Sequence, residues 1–137
     1  MAVFKVKLTA INPKDESKKT KPILAIVDTG SHMTWLPKKT LLDAGIVPRS
    51  KKHFRTASNQ RLERECGFAI LTTDKYTTVC EVVFAEANDM TLLGVRTLEG
   101  FGVRVDNING RFEPVEQLLT GLDLIHLGEE DELPNES

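Results

Sequence analysis

Residues 23–28 read Ile-Leu-Ala-Ile-Val-Asp. Five apolar residues in a row after Pro22 have the pattern of a buried strand. The carboxylate that ends the run is the strongest constraint in the chain. An acidic group at the mouth of a buried strand is costly unless it is hydrogen-bonded or used in chemistry. The next residues supply what it needs. Gly30 lets the backbone turn and approach the carboxylate closely, and Thr29 and Ser31 carry hydroxyls able to orient it. Met33, Trp35 and Leu36 then resume an apolar segment. The reading is strand, polar loop, strand, with one carboxylate at a fixed place. An Asx turn joining two strands would also account for the loop; the apolar flanks on both sides favour a presented carboxylate.

Asp28-Thr29-Gly30-Ser31 between apolar strands, continuing to Trp35-Leu36-Pro37, resembles the active-site loop of the aspartic proteases. The chain has 137 residues, one such motif and no internal repeat, too little for a two-lobed enzyme. The resemblance is therefore to the retropepsin-like, retroviral-type proteases, and is closest to their small archaeal and bacterial single-domain members. It implies an all-β fold, a small closed β-barrel with one or two short helices, assembling as a homodimer. It implies catalysis by Asp28 together with Asp28 of a second copy. Thr29 would bond across the two-fold axis, Gly30 would offer its N–H to the carboxylate, and Ser31 would add a supporting hydroxyl. The expected function is an aspartic endopeptidase whose partners are a second copy of itself and a peptide or protein substrate. The alternative is a catalytically weak or inactive retropepsin-like module for dimerisation or peptide binding. His32 adjoins the loop, but the mechanism does not require it as a base. Trp35 reads as core or pocket wall.

The rest of the chain is ordered accordingly. Ala2–Ile11 alternates apolar and polar residues, a strand. Asn12–Lys21 reads as an exposed loop, and Pro37–Gly45 as a short helix with Pro at its start and Gly at its end. His53–Leu71 reads as a hairpin, Asp74-Lys75 as a second turn and Tyr76–Ala85 as a third strand. The resemblance makes Ala57, Ser58 and Asn59 the tip of a substrate-binding flap. Asn59-Gln60-Arg61 lacks the Gly-rich character of a mobile flap. Leu92-Leu93-Gly94 matches the family's late apolar-apolar-Gly segment, with Val95, Leu98 and Phe101 forming an apolar helical stripe after it. Val103–Phe112 reads as a closing hairpin around Asn107–Gly110. The resemblance makes Val3–Leu8 and Arg111–Val115 the dimer strands. The domain expectation is residues 1–115 for the protease-like domain and 116–127 for a helical extension. An acidic disordered tail follows at 128–137.

Net charge is −2. Eight Lys or Arg lie between Lys38 and Arg64, without aromatic interleaving beyond Phe54, so an RNA-binding barrel is the weakest reading and no nucleic-acid partner is expected. No apolar run is long enough to span a bilayer and no signal-peptide pattern opens the chain, so no membrane is expected and the cytoplasm is the expected compartment. Cys66 and Cys80 fit no metal-ligand spacing with His32, His53 or His126; no metal and no cofactor is expected. The two cysteines read as reduced, partly buried thiols placed to face each other across a hairpin.

Overall fold

The computed structural model describes residues 4–116. In chain order the elements are β1 (Lys5–Ile11), β2 (Ile23–Val27), β3 (Thr34–Pro37), α1 (Lys38–Asp43), β4 (Ser50–Arg55), β5 (Arg61–Thr73), β6 (Tyr76–Ala85), β7 (Leu92–Leu93), α2 (Val95–Phe101), β8 (Val103–Asp106) and β9 (Arg111–Pro114). Among the described residues the fold is mostly β with two short helices. The expected helical extension beyond Glu116, the acidic tail, and Ala2 and Val3 of the expected first strand lie outside the described residues.

The main sheet runs β1-β2-β7-β3-β6-β5-β4, and β1 pairs a second time with β5 through Thr9–Ile11. The hydrogen-bonded pairings thus return on themselves through β1, β2, β7, β3, β6 and β5. Leu8, Ala10, Leu36, Leu71, Val82, Phe84 and Leu93 are fully buried inside this circuit. Alternation decides which residues go there: in β1, Leu8 and Ala10 turn inward while Lys5 and Lys7 do not. Leu41 of α1 joins the same core. Gly45, at φ 74°, ends the turn after α1 in the left-handed region that a β-carbon disfavours.

β8 and β9 form a separate two-stranded sheet. Phe112 docks it, with ring centroids 5.4 Å from Phe4 and 5.9 Å from Tyr76. A second, smaller apolar cluster gathers Met33, Cys66 and Val83 with Trp35 and Phe54.

Two expectations change. The Asn12–Lys21 loop is exposed over most of its length, but Asn12 and Thr20 are buried polar anchors. Asn12 Nδ2 donates to the Ala44 carbonyl and Thr20 Oγ1 accepts from the Ala10 N–H. The cysteines do not face each other. Cys66 stands opposite Val83 and Cys80 opposite Ala69. They are three positions out of register, an odd number, so they point to opposite faces of the sheet. Cys66 joins the smaller cluster and Cys80 packs on the main core.

Candidate active site

The Asp28 loop is shaped by where β7 lies. β7 runs parallel to β2 through Ile26↔Leu92 and Val27↔Leu93, and antiparallel to β3 through Trp35↔Leu92. It therefore separates the two strands that the loop joins, and residues 28–33 must cross its end. Leu93 accepts the Asp28 N–H at 2.9 Å, extending the parallel ladder by one step. On the far side, Val95 N–H donates to the Ser31 carbonyl at 2.8 Å and Arg96 N–H to the His32 carbonyl at 3.0 Å. Four consecutive residues, Leu93–Arg96, thus grip the loop at three points.

Gly94 sits where the two backbones cross. A β-carbon there would fall 2.6 Å from the Met33 carbonyl carbon and 2.8 Å from the Ser31 carbonyl oxygen. Any side chain would have to displace backbone, which explains glycine at this position. Its N–H donates to Thr34 Oγ1 at 2.9 Å.

Asp28 is half-buried, and Thr29 and Gly30 are exposed at the apex. Gly30 N–H donates to Asp28 Oδ1 at 2.9 Å. Among the described residues it is the one donor to that side chain. Ser31 N–H donates to the Asp28 carbonyl at 3.1 Å, closing the turn. The geometry includes an Asx turn. An ordinary Asx turn has no need of the Leu93–Arg96 grip, which holds one carboxylate in place with an oxygen left over.

Several sequence expectations can be placed against this geometry. Asp28, Thr29, Gly30 and Ser31 come together in one loop. The Ser31 hydroxyl is not turned to the carboxylate: it donates to the Met33 carbonyl at 2.8 Å and so bridges the loop's exit. His32 is exposed, and its Nε2 lies 3.2 Å from Arg96 Nε as acceptor. That contact ties the ring to Arg96 of α2. Trp35 is half-buried against the smaller apolar cluster, its ring 4.9 Å from that of Phe54 of β4 and tilted 60° to it. Ala57, Ser58 and Asn59 do form the tip of the β4–β5 hairpin, exposed to solvent. Arg64 of β5 pairs with Asp89 at 2.6 and 2.9 Å, tying the hairpin to the segment that leads into β7. The Arg64 hydrogen bonds hold the Asp89 carboxyl below its ordinary range.

The residues that sequence reasoning missed are Thr34 and Thr97, both buried beside Gly94. The available signal was a Thr interrupting the apolar Met33–Leu36 run and another inside the Val95–Phe101 stripe. Within the basic stretch, Lys38 pairs with Glu65 and Glu86, Lys39 with Asp43, and Lys52 with Glu81. Among the described residues no three His, Cys, Asp or Glu side chains gather as for a metal ion, and no helix is long and apolar enough to cross a membrane.

No protein-family model and no curated protein sequence matches the chain. Among solved structures, it is similar to the foamy viral protease-reverse transcriptase in complex with an RNA/DNA hybrid, at 13% identity and a TM-score of 0.47 over 89% of this chain. It is similar also to the native prototype foamy virus protease-reverse transcriptase, at 13% identity and a TM-score of 0.47 over 97% of this chain. The chain spans 14% and 15% of the length of those two proteins. The expected kinship with archaeal and bacterial members draws no support from them.

Proposed function

We propose that this chain is a retropepsin-like aspartic endopeptidase that works as a homodimer, Asp28 and Asp28 of a second copy sharing one water. The observation that carries the reading is the gripped Asp28 loop. Leu93–Arg96 fixes its backbone, Gly30 satisfies one carboxylate oxygen, and the apex is exposed. Peptide hydrolysis by carboxylates needs two of them around one water. The ionised one accepts the water's proton and the protonated one donates to the carbonyl oxygen or leaving nitrogen. A chain with one such loop obtains the second by two-fold symmetry. Two carboxylates that close cannot both ionise cheaply, so they share a proton and titrate as a unit. Exposed Thr29 is then free to bond across the axis. The β1–β5 pairing supports a small closed barrel as the scaffold. The β4–β5 hairpin, with Ala57, Ser58 and Asn59 at its tip, serves as the flap.

One observation favours a second reading, an inactive dimerisation or peptide-binding module. The flap tip has no glycine and is cross-bonded within itself, which suits a fixed hairpin better than a gate. Incubation with a peptide library from acidic to neutral pH, beside Asp28→Asn, separates the two. Asn is nearly isosteric but cannot accept the water's proton, so cleavage is expected in the wild type and not in the variant, with both folded and dimeric by sedimentation. Cleavage that survives unchanged in Asp28→Asn sinks the protease reading. Dimers that bind peptide without cleaving it support the second. A monomer that neither binds nor cleaves defeats both.

A further inference from the structure

Behind the Asp28 loop lies a line of polar side chains that the reaction does not use. Thr34 is 1% exposed, Thr97 is fully buried and Cys80 is half-buried beside it. Hydroxyls in such a place must find partners. Gly94 N–H donates to Thr34 Oγ1 at 2.9 Å, Thr34 Oγ1 lies 2.5 Å from Thr97 Oγ1, and Thr97 Oγ1 lies 3.3 Å from Cys80 Sγ. The peptide N–H can only donate, so it takes a lone pair of Thr34. A second lone pair and the hydroxyl proton of Thr34 remain, so either hydroxyl of the Thr34–Thr97 pair can be the donor. Burial raises the Cys80 thiol above its ordinary range, against the lowering effect of the Thr97 hydrogen bond. The line therefore ends in a neutral S–H.

The line joins β3, α2 and β6, three elements distant in sequence. Valines would fill much the same space but leave the buried Gly94 N–H without an acceptor. What the hydroxyls add is a fixed position for the Gly94 N–H. Gly94 stands between the residue that holds Asp28 (Leu93) and those that hold Ser31 and His32 (Val95 and Arg96). Whatever fixes Gly94 fixes the grip.

We propose that Thr34 and Thr97 are positioning residues for Asp28, acting through Gly94 and the Leu93–Arg96 grip, with Cys80 as the far anchor. The proposal rests on the homodimeric reaction described above. Reacting groups must be held within about 0.5 Å of productive geometry, and two-fold symmetry applies any shift of the loop to both carboxylates at once.

The test uses Thr97→Val, which keeps the shape and removes the hydroxyl, and Thr97→Ser, which restores it. Three properties of the full chain are measured: kcat and KM on a cleaved peptide, amide exchange along the chain, and the Asp28 carboxyl titration by NMR. Thr97→Val is expected to lower kcat about tenfold with KM within about twofold of wild type. It is expected to speed exchange at Asp28, Val95 and Arg96 about tenfold more than in β8–β9, and to move the Asp28 titration. Thr97→Ser should return all three toward wild type. Exchange that rises uniformly, or an Asp28 titration that does not move, overturns the proposal. Should Thr97→Val fail to fold, Cys80→Ala removes the far anchor and is expected to give the same pattern at smaller amplitude; an unchanged pattern overturns the proposal equally. If the wild type cleaves no peptide, the reaction fails on its own account, while exchange and titration still decide whether Thr97 positions Asp28.

Discussion

The Asp28 loop and the tip of the β4–β5 hairpin are built from similar residues and held in opposite ways. Asp28–His32 and Thr56–Gln60 are both short, small and polar. The hairpin tip is tied almost wholly to itself. Thr56 N–H donates to the Gln60 carbonyl, Gln60 N–H to Thr56 Oγ1, and Arg55 Nη1 to Asn59 Oδ1, all within four residues and all on exposed side chains or turns. The Asp28 loop is held by Leu93–Arg96, more than sixty residues away, across a crossing too tight for a side chain. A locally bonded tip keeps its shape through residues a few positions apart. A loop held from afar moves only when the sheet behind it moves.

The largest expected break in this contrast is Gly94→Ala. The added β-carbon meets the backbone of Met33 and Ser31, which cannot rotate away as a side chain could. A loss of about 3 kcal/mol is expected, read as a fall in melting temperature of roughly 10 °C. A melting temperature within about 2 °C of wild type would show that the crossing is loose.

The Arg64–Asp89 pair links the two regions, and acid should loosen it. The Asp89 carboxyl titrates below its unfolded value because Arg64 hydrogen-bonds it. Its contribution is therefore complete above the unfolded value, about pH 4, and fades as pH falls through the lower folded value. Asp89→Asn should cost about 2 kcal/mol at neutral pH. Its deficit against wild type should shrink below about pH 4. Denaturant unfolding across pH checks this; a deficit that is the same at every pH would mean that the pair's charge contributes nothing.

At the hairpin tip the expected effect is small. Asn59 has φ 68°, a conformation that glycine adopts without cost. Asn59→Gly relieves that strain and removes the exposed Arg55 contact, leaving stability within about 0.5 kcal/mol of wild type. A larger loss by chemical denaturation would show that the tip is anchored beyond itself.

His32→Ala should change least. The imidazole is engaged by Arg96. If the proposed carboxylate pair does the chemistry, the pH–rate profile should remain a bell on the acid side of neutrality, with its limbs belonging to that pair. A rise through about pH 6.5 to a plateau that vanishes in the variant would make His32 the base and refute the pair.

Much of this was open to reading from the chain. The Ile23–Val27 run marked a strand with a carboxylate at its end, but not a buried one: Ile23 and Ala25 are buried while Leu24 is 56% exposed, because alternate residues of the strand face opposite sides. Alternation in Lys5–Ile11, the Pro37–Gly45 helix and the turns at Ala57–Asn59 and Asp74-Lys75 are local matters, settled by residues a few positions apart. Leu92-Leu93-Gly94 marked a second segment of the right kind. None of these could say that β7 lies between β2 and β3, since strand order depends on long-range pairing. That placement explains the glycine at 94. The cysteines make the same point on a smaller scale. Both sit on neighbouring strands, yet their faces depend on a register that a single-residue slip would invert. The sequence by itself determined which residues could present a carboxylate, because hydrophobic period and turn chemistry are short-range. Only the tertiary structure decided what holds that carboxylate still. Thr34, Cys80 and Thr97 become partners through packing, and hydrogen bonds between residues so far apart in the chain leave no periodic trace in it.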